Sequence, residues 1–165
     1  MAKTKTEEFI RESNAIEGVL DIQSLKDGKK AWKRLKTVTV LKKEYILEVH
    51  KLVMANQPIT DSYKGNYRRC AVFIGGSEAL VWPRVPMAVE SWLANVNHYI
   101  KGNRDTLAGR ERVAREHHVN FEVIHPFVDG NGRVGRILYN WERKRLGLDI
   151  DIIKVSERGN YYAWF

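Results

Sequence analysis

The sequence predicts an all-α domain, a helical bundle that carries one small β-hairpin. Three observations point there. Apolar residues recur at helical spacing along most of the chain. One stretch alone combines β-prone runs with a glycine turn. The length of 165 residues, with 44% apolar and 29% charged content, suits a single hydrophobic core. Five Trp, seven Tyr and five Phe supply enough burial to exclude disorder as the main state.

The elements follow in order. Phe9, Ile10, Ser13 and Ile16 share one helical face, and Gly18 can end that helix in the left-handed conformation. Leu41, Tyr45, Val49 and Leu52 repeat at helical spacing. Ala71–Ile74 and Ala79–Trp82 flank Gly75-Gly76-Ser77-Glu78, which predicts a hairpin with a four-residue turn closed by Pro83. Val89, Trp92, Leu93, Val96, Tyr99 and Ile100 form the clearest amphipathic helix, with Pro86 in its first turn, where a missing N–H costs little. Leu107, Val113, Ala114, His117, Phe121 and Ile124 predict the next. Val134, Ile137, Leu138, Trp141 and Arg145 predict another, stopped by Gly147. Arg158–Phe165 reads as a helix just starting, so truncation is expected there. No linker, repeat or low-complexity segment divides the chain.

Composition bounds the setting. No uncharged apolar run approaches the roughly 18 residues of a membrane span. The start, MAKTKTEEFIRES, has no apolar segment behind its basic residues, so no secretory signal is expected. The lone Cys70 cannot form an internal disulfide; it suits a reducing, cytoplasmic setting and reads as a small buried hydrophobe. The net charge of +8 favours an anionic partner. Eight bases (Lys26, Lys29, Lys30, Lys33, Arg34, Lys36, Lys42, Lys43) crowd one segment against Asp27 alone. That run reads first as a solvated helix face and second as a dock for an acidic partner. No aromatic-interleaved nucleic-acid motif accompanies it, so nucleic acid is the weaker partner reading.

The chemistry concentrates in His125-Pro126-Phe127-Val128-Asp129-Gly130-Asn131-Gly132-Arg133-Val134-Gly135-Arg136. A helix must end near Ile124, because the residue before Pro126 is pushed out of helical space. A glycine-rich turn and a new helix near Gly132 then aim unpaired first-turn amides at the loop, a cradle suited to phosphate. Arg133 and Arg136 lie on one helical face and can clamp further phosphate oxygens. Asp129 is a hard oxygen ligand suited to Mg2+. His125 is the group there whose ordinary pKa is near neutral, the natural general base.

Two other patterns overlap this segment. Gly130 to Gly135 spells G-x-G-x-x-G, with Asp149 at the distance of a ribose contact, but the residues before it have helical rather than strand period. Asp129 and Asn131 begin like a calcium loop, which Val134 and Asn140 at the Gly and Glu positions reject. His117 and His118 suggest a metal cluster with His125, yet neighbours on a helix point apart. His117 is therefore expected to pack in the core.

The segment resembles the signature of the Fic family, H-P-F-x-[DE]-G-N-G-R-x-x-R, at every specified position. Gly65-Asn66-Tyr67-Arg68, Val72-Phe73-Ile74-Gly75-Gly76 and Pro83-Arg84-Val85-Pro86 resemble the region before the family's signature more loosely. The resemblance implies a mostly helical Fic fold and transfer of AMP from ATP to a hydroxyl of a target protein. It implies that His125 deprotonates the target Ser, Thr or Tyr and that Asp129 holds Mg2+ between the α- and β-phosphates. Gly130, Asn131 and Gly132 would cradle phosphates, Arg133 would grip the β-phosphate side and Arg136 the γ-phosphate, while Phe127 anchors the loop. Val72, Phe73, Ile74, Gly75 and Gly76 would form a flap that aligns the target by strand addition. Tyr161, Tyr162 and Asn140 are weaker candidates for the adenosine.

Ser13-Asn14-Ala15-Ile16-Glu17-Gly18 resembles the family's inhibitory pattern, [ST]-x-x-x-E-[GN]; a capping box between Asn14 and Glu17 is the plain alternative. On the resemblance, residues 1–20 form an inhibitory helix and 21–165 a Fic domain, and Glu17 pairs with Arg136 to deny ATP its γ-phosphate site. Self-modification, a homo-oligomer, removal of AMP, transfer of UMP or phosphocholine, and a catalytically silent binding module stay open. So do a toxin, a secreted effector or a homeostatic role, since all would share this core.

Overall fold

The computed structural model describes residues 4–165; the first three residues of the expected N-terminal segment lie outside the described residues. Among the described residues seven α-helices and one hairpin follow in order: α1 (Lys5–Ile16), α2 (Ile22–Leu35), α3 (Lys43–Val53), β1 (Phe73–Ile74), β2 (Ser77–Glu78), α4 (Val85–Gly102), α5 (Leu107–Ile124), α6 (Asn131–Arg145) and α7 (Arg158–Tyr162). The mostly helical expectation holds.

Helix α6 is the axis of the fold. It packs against α1, α2, α3, α4 and α5. Val134, Ile137, Leu138 and Trp141 sit in the main core with Phe9, Trp32, Ile46, Val89 and Phe121. Its polar residues Asn131, Arg133, Arg136, Asn140, Glu142 and Arg143 are buried as well. Burying that many polar groups requires partners, and those partners build much of the site.

Local chemistry explains the ends. Thr4, Asp21 and Thr106 cap α1, α2 and α5 by accepting the amides of Glu7, Ser24 and Gly109. At the end of α1, Gly18 takes φ +70°. Its amide donates to Ala15 O and that of Val19 donates to Asn14 O, a Schellman closure. Asn14 and Glu17 therefore close a helix rather than open one, so the capping-box alternative fails. Gly147 (φ +75°) ends α6 in the same way.

Several expectations change in detail. The hairpin turn has two residues, Gly75 and Gly76, both at positive φ, and Phe73 pairs with Glu78 and Ile74 with Ser77. Two adjacent residues with positive φ give the tight turn whose twist matches paired strands, and a Gly-Gly pair reaches it without strain. The strands are accordingly shorter than the β-prone runs, and Trp82 starts a 3-10 turn instead. Leu41 is buried but precedes α3, which buries Ile46, Val49, His50 and Val53. His118, not His117, is the buried histidine of α5. Cys70 is only half-buried.

Candidate active site

The site forms where α5 ends and α6 begins. His125 terminates α5 with φ 49° and ψ 63°, the one positive φ among described non-glycine residues. Its backbone turns the chain into the loop, while its ring stays beside the helix end. Nδ1 lies 3.1 Å from Glu122 O. A carbonyl can only accept, so Nδ1 carries the proton and Nε2 keeps a free lone pair. Burial lowers the His125 pKa, and the Arg68 cation adds to this, so the ring is neutral at pH 7.

The loop is held from inside. Asn131 Oδ1 accepts the Phe127 amide and its Nδ2 donates to Phe127 O, both at 2.9 Å. The Asn131 side chain is thus spent on the loop, and the residue faces the cavity through its backbone. His50 stacks on Phe127 at 3.7 Å and 8°. Its Nδ1 accepts the Gly65 amide, so Nε2 donates to Asp129 O at 3.0 Å. Burial pushes the His50 pKa down to about 4, which keeps it neutral. Gly130 has φ +82°, and a Cβ there would meet Met54 Sδ at 2.5 Å. The close approach of loop to α3 requires glycine.

Two adjoining cavities open on this loop. The smaller, about 110 Å³, is lined by Glu17, His125, Val128, Asp129, the turn glycines, Asn131 and Arg133. The first amides of α6 have no intrahelical acceptor, and the helix dipole makes that end positive. Arg133 is buried, donates to Met54 Sδ at 3.4 Å and stands 3.8 Å from Asp129. Its Nε and Nη1 have no partner among the described residues. A buried cation with idle donors beside a helix N-terminus is a site short of an anion.

The larger cavity, about 570 Å³, is bounded by the flap residues Ile74 and Gly75, by Glu122, Val123 and Arg136, and by Tyr161, Tyr162 and Phe165. Glu17, His125 and Gly132 line both cavities and stand between them. Arg136 is 1% exposed. Its Nε donates to Ser13 Oγ at 2.9 Å, Nη2 to Ser13 O at 2.9 Å and to Glu17 Oε1 at 2.7 Å, and Nη1 to Tyr161 Oη at 3.2 Å. Ser13 and Glu17, one turn apart on α1, thus approach the same guanidinium. A Cβ on Gly132 would lie 2.3 Å from Glu17 Oε1, so the glycine makes room for the carboxylate.

The other expected residues divide. Tyr162 is exposed and lines the larger cavity, whereas Tyr161 is buried and bonds His118 and Arg136. Asn140 lies away from both cavities. Its amide exchanges two bonds with the Asp151 backbone and pins the chain after α6. Phe73 is exposed on the hairpin. His117 bonds Glu142 at 2.6 Å and joins no metal cluster; no group of three His, Cys, Asp or Glu is placed to hold a metal among the described residues. Asp129 is an exposed carboxylate at the mouth, with Oδ1 accepting the Gly130 amide at 2.6 Å. Such a carboxylate fits Mg2+ that arrives with phosphates, because this ion keeps waters and substrate oxygens in its shell. A helix precedes the G-x-G-x-x-G run, which excludes the dinucleotide reading. Sequence reasoning missed the roles of His50 and Arg68, which act on backbone atoms far along the chain.

A family model described as the Fic/DOC family matches residues 40–142, from before α3 to near the end of α6. The chain belongs to the Fic/DOC family. It is 31% identical over 118 residues to the protein adenylyltransferase Fic of Drosophila grimshawi, covering 71% of this chain and 23% of that protein. To the protein adenylyltransferase fic-1 of Caenorhabditis elegans it is 32% identical over 119 residues, 72% of this chain and 22% of the relative. The chain thus spans under a quarter of the length of these curated relatives. Among solved structures, a Fic domain containing signaling protein from Bacteroides thetaiotaomicron superposes with a TM-score of 0.80 at 20% identity, over 96% of this chain and 69% of that one. That likeness establishes the Fic fold. No helix among the described residues is long and apolar enough to cross a membrane.

Proposed function

We propose that this chain is a protein adenylyltransferase domain that moves AMP from ATP to a Ser, Thr or Tyr hydroxyl of a target protein, and that Glu17 restrains it. The observation that carries the reading is the meeting, at one loop, of a neutral imidazole with a free Nε2 and an anion cradle that ends in the idle donors of Arg133.

The acceptor hydroxyl gives its proton to His125 Nε2 as its oxygen bonds to the α-phosphorus. The bond from that phosphorus to the bridging oxygen of the β-phosphate breaks, and pyrophosphate leaves. The α6 amides and Arg133 hold charge that spreads over phosphate oxygens in flight, which is where preorganised donors help most. Bound at Asp129, Mg2+ would neutralise part of that charge. The side chains around the larger cavity, including Tyr162, suit the nucleoside, and the exposed backbone of Val72–Gly76 suits an extended target segment.

Restraint follows from charge. A carboxylate on Arg136 Nη2 takes the donor that a terminal phosphate needs and sets a negative group in its place. A basic face on α2, with Lys26, Lys29 and Lys33 exposed, suits an acidic target surface.

The test is His125→Ala. Label from ATP carrying radioactive α-phosphate should fall by ~10²–10⁴ on loss of the base, while ATP binding measured by calorimetry stays near the parent value. Undiminished labelling would contradict the assignment.

A further inference from the structure

The guanidinium of Arg68 lies outside both cavities, yet the residue is 1% exposed and its side-chain partners among the described residues are carbonyls, not carboxylates. Four carbonyls surround it instead. Nε donates to His125 O at 2.7 Å and Nη1 to Cys70 O at 2.9 Å. Nη2 donates to Leu80 O and, at 3.4 Å, to Ile124 O. The Arg68 backbone amide adds a bond to Pro126 O at 2.9 Å. Cys70 lies on the chain leading into the hairpin and Leu80 on the chain leading out of it. Ile124 and His125 are the last carbonyls of α5, where the helix dipole is negative and favours a cation.

A lone buried charge is expensive, and an apolar side chain of similar size is often no less stabilising. What the charge supplies here is geometry. A planar fork of donors fixes three chain segments in one plane, which a point-like ammonium cannot do. His125 is also the described non-glycine residue with positive φ. Such a conformation persists only when its surroundings over-determine it, and its carbonyl is the one Arg68 Nε holds.

We propose that Arg68 is a positioning residue: one guanidinium locks both legs of the flap to the backbone of His125 and so sets where a target hydroxyl meets the imidazole. The inference rests on the adenylyltransferase reading for its catalytic consequence, but the junction itself is independent of it. Loading the flap with a target strand would then press on the base through a single side chain rather than across open solvent.

Two measurements on the full chain test it. Arg68→Lys keeps the charge and loses the fork; Arg68→Gln keeps two donors and no charge, and serves if the lysine variant does not fold. Backbone hydrogen exchange should quicken together in residues 71–81 and 124–130, by roughly tenfold or more, as local opening of both segments is coupled. Exchange that quickens in the hairpin alone would overturn the junction. In a Glu17→Gly background, pyrophosphate release from ATP with Mg2+ should show KM for ATP unchanged and kcat lower by as much as ~10²-fold, the cost of an ångström of misplacement. Unchanged kcat would overturn the positioning role, because a merely structural residue would lower thermal stability without splitting kcat from KM. If Glu17→Gly alone released no pyrophosphate, the adenylyltransferase reading would fall while the exchange experiment still decided the junction.

Discussion

Replacing Glu17 with Gly should raise both ATP affinity and AMP transfer. The bond at stake joins a carboxylate to a guanidinium at 2.7 Å, and hydrogen bonds to charged groups contribute about 1.5–3 kcal/mol. The Glu17 side chain is 35% exposed, so water screens the pair and about 1–2 kcal/mol remains. Freeing Arg136 by that amount raises the competent fraction, and lowers the apparent Kd for ATP, by roughly 5–30-fold. Arg136 stays in place through Ser13 Oγ and Ser13 O, and Gly18 still closes α1, so the fold should hold. Calorimetric titration of ATP into wild type, Glu17→Gly and Glu17→Gln reads the affinity, and incorporation of α-labelled AMP at subsaturating ATP reads the transfer. Glu17→Gln, which keeps length and loses charge, should fall between the other two. Equal Kd and equal incorporation across the three, with unchanged melting temperatures, would mean that the Glu17–Arg136 pair does not restrain the site.

Two further outcomes concern the scaffold. His50 and His118 are kept neutral because burial pushes their pKa values down to about 4 and about 3, against an ordinary 6.5. Below pH 6.5 the unfolded chain therefore binds more protons than the folded one. Through these two groups stability is full above that pH and falls as pH drops toward the folded values, with about 3 kcal/mol lost through His50 alone by pH 4; burial pushes Glu122 up to about 7, which offsets part of this loss with the opposite sign and leaves a net decline. Urea unfolding between pH 7 and pH 4 checks this, and a flat profile would contradict it. Gly135→Ala would bring a Cβ to 2.1 Å from Glu122 Oε1, 3.0 Å from His118 Cε1 and 3.2 Å from Phe121 Cδ1. The carboxylate can swing away but the two buried rings cannot, so α5 and α6 must part, at about 1–3 kcal/mol. A melting temperature equal to wild type would count against that packing.

The signature loop was legible because its chemistry is local. A proline, two glycines and two arginines at fixed spacing determine where one helix stops and where the next aims its amides. The Ser13–Glu17 pattern named its partner, Arg136, across more than a hundred residues, though only through the family resemblance. The hairpin was placed correctly but drawn too long, since β-prone side chains such as Val81 and Trp82 do not reveal that the turn closes on Gly75 and Gly76. The lysines of α2 were read as a solvated helix face, but the buried side made by Gly28, Ala31, Trp32 and Leu35 went unread because the lysines dominate the segment. A Cβ on Gly28 would meet Ile10 Cγ2 at 2.5 Å, a close approach of α1 to α2 that no periodicity announces. Asn140 was read as a nucleoside contact because an amide side chain looks the same whether it faces a nucleotide or a backbone, whereas Asn131 does line the loop cavity while its side chain bonds Phe127. Arg68 and His50 left no pattern, since carbonyl acceptors carry no side-chain signature.

In the proposed reaction, attack falls on the α-phosphorus. Two parallel reactions of the Glu17→Gly protein, one with ATP labelled at the α-phosphate and one with ATP labelled at the γ-phosphate, test it most directly, each resolved on a denaturing gel. Label should reach protein only from the α-labelled nucleotide, with the γ-label leaving as pyrophosphate. Protein labelled by the γ-phosphate, or by neither, would contradict it.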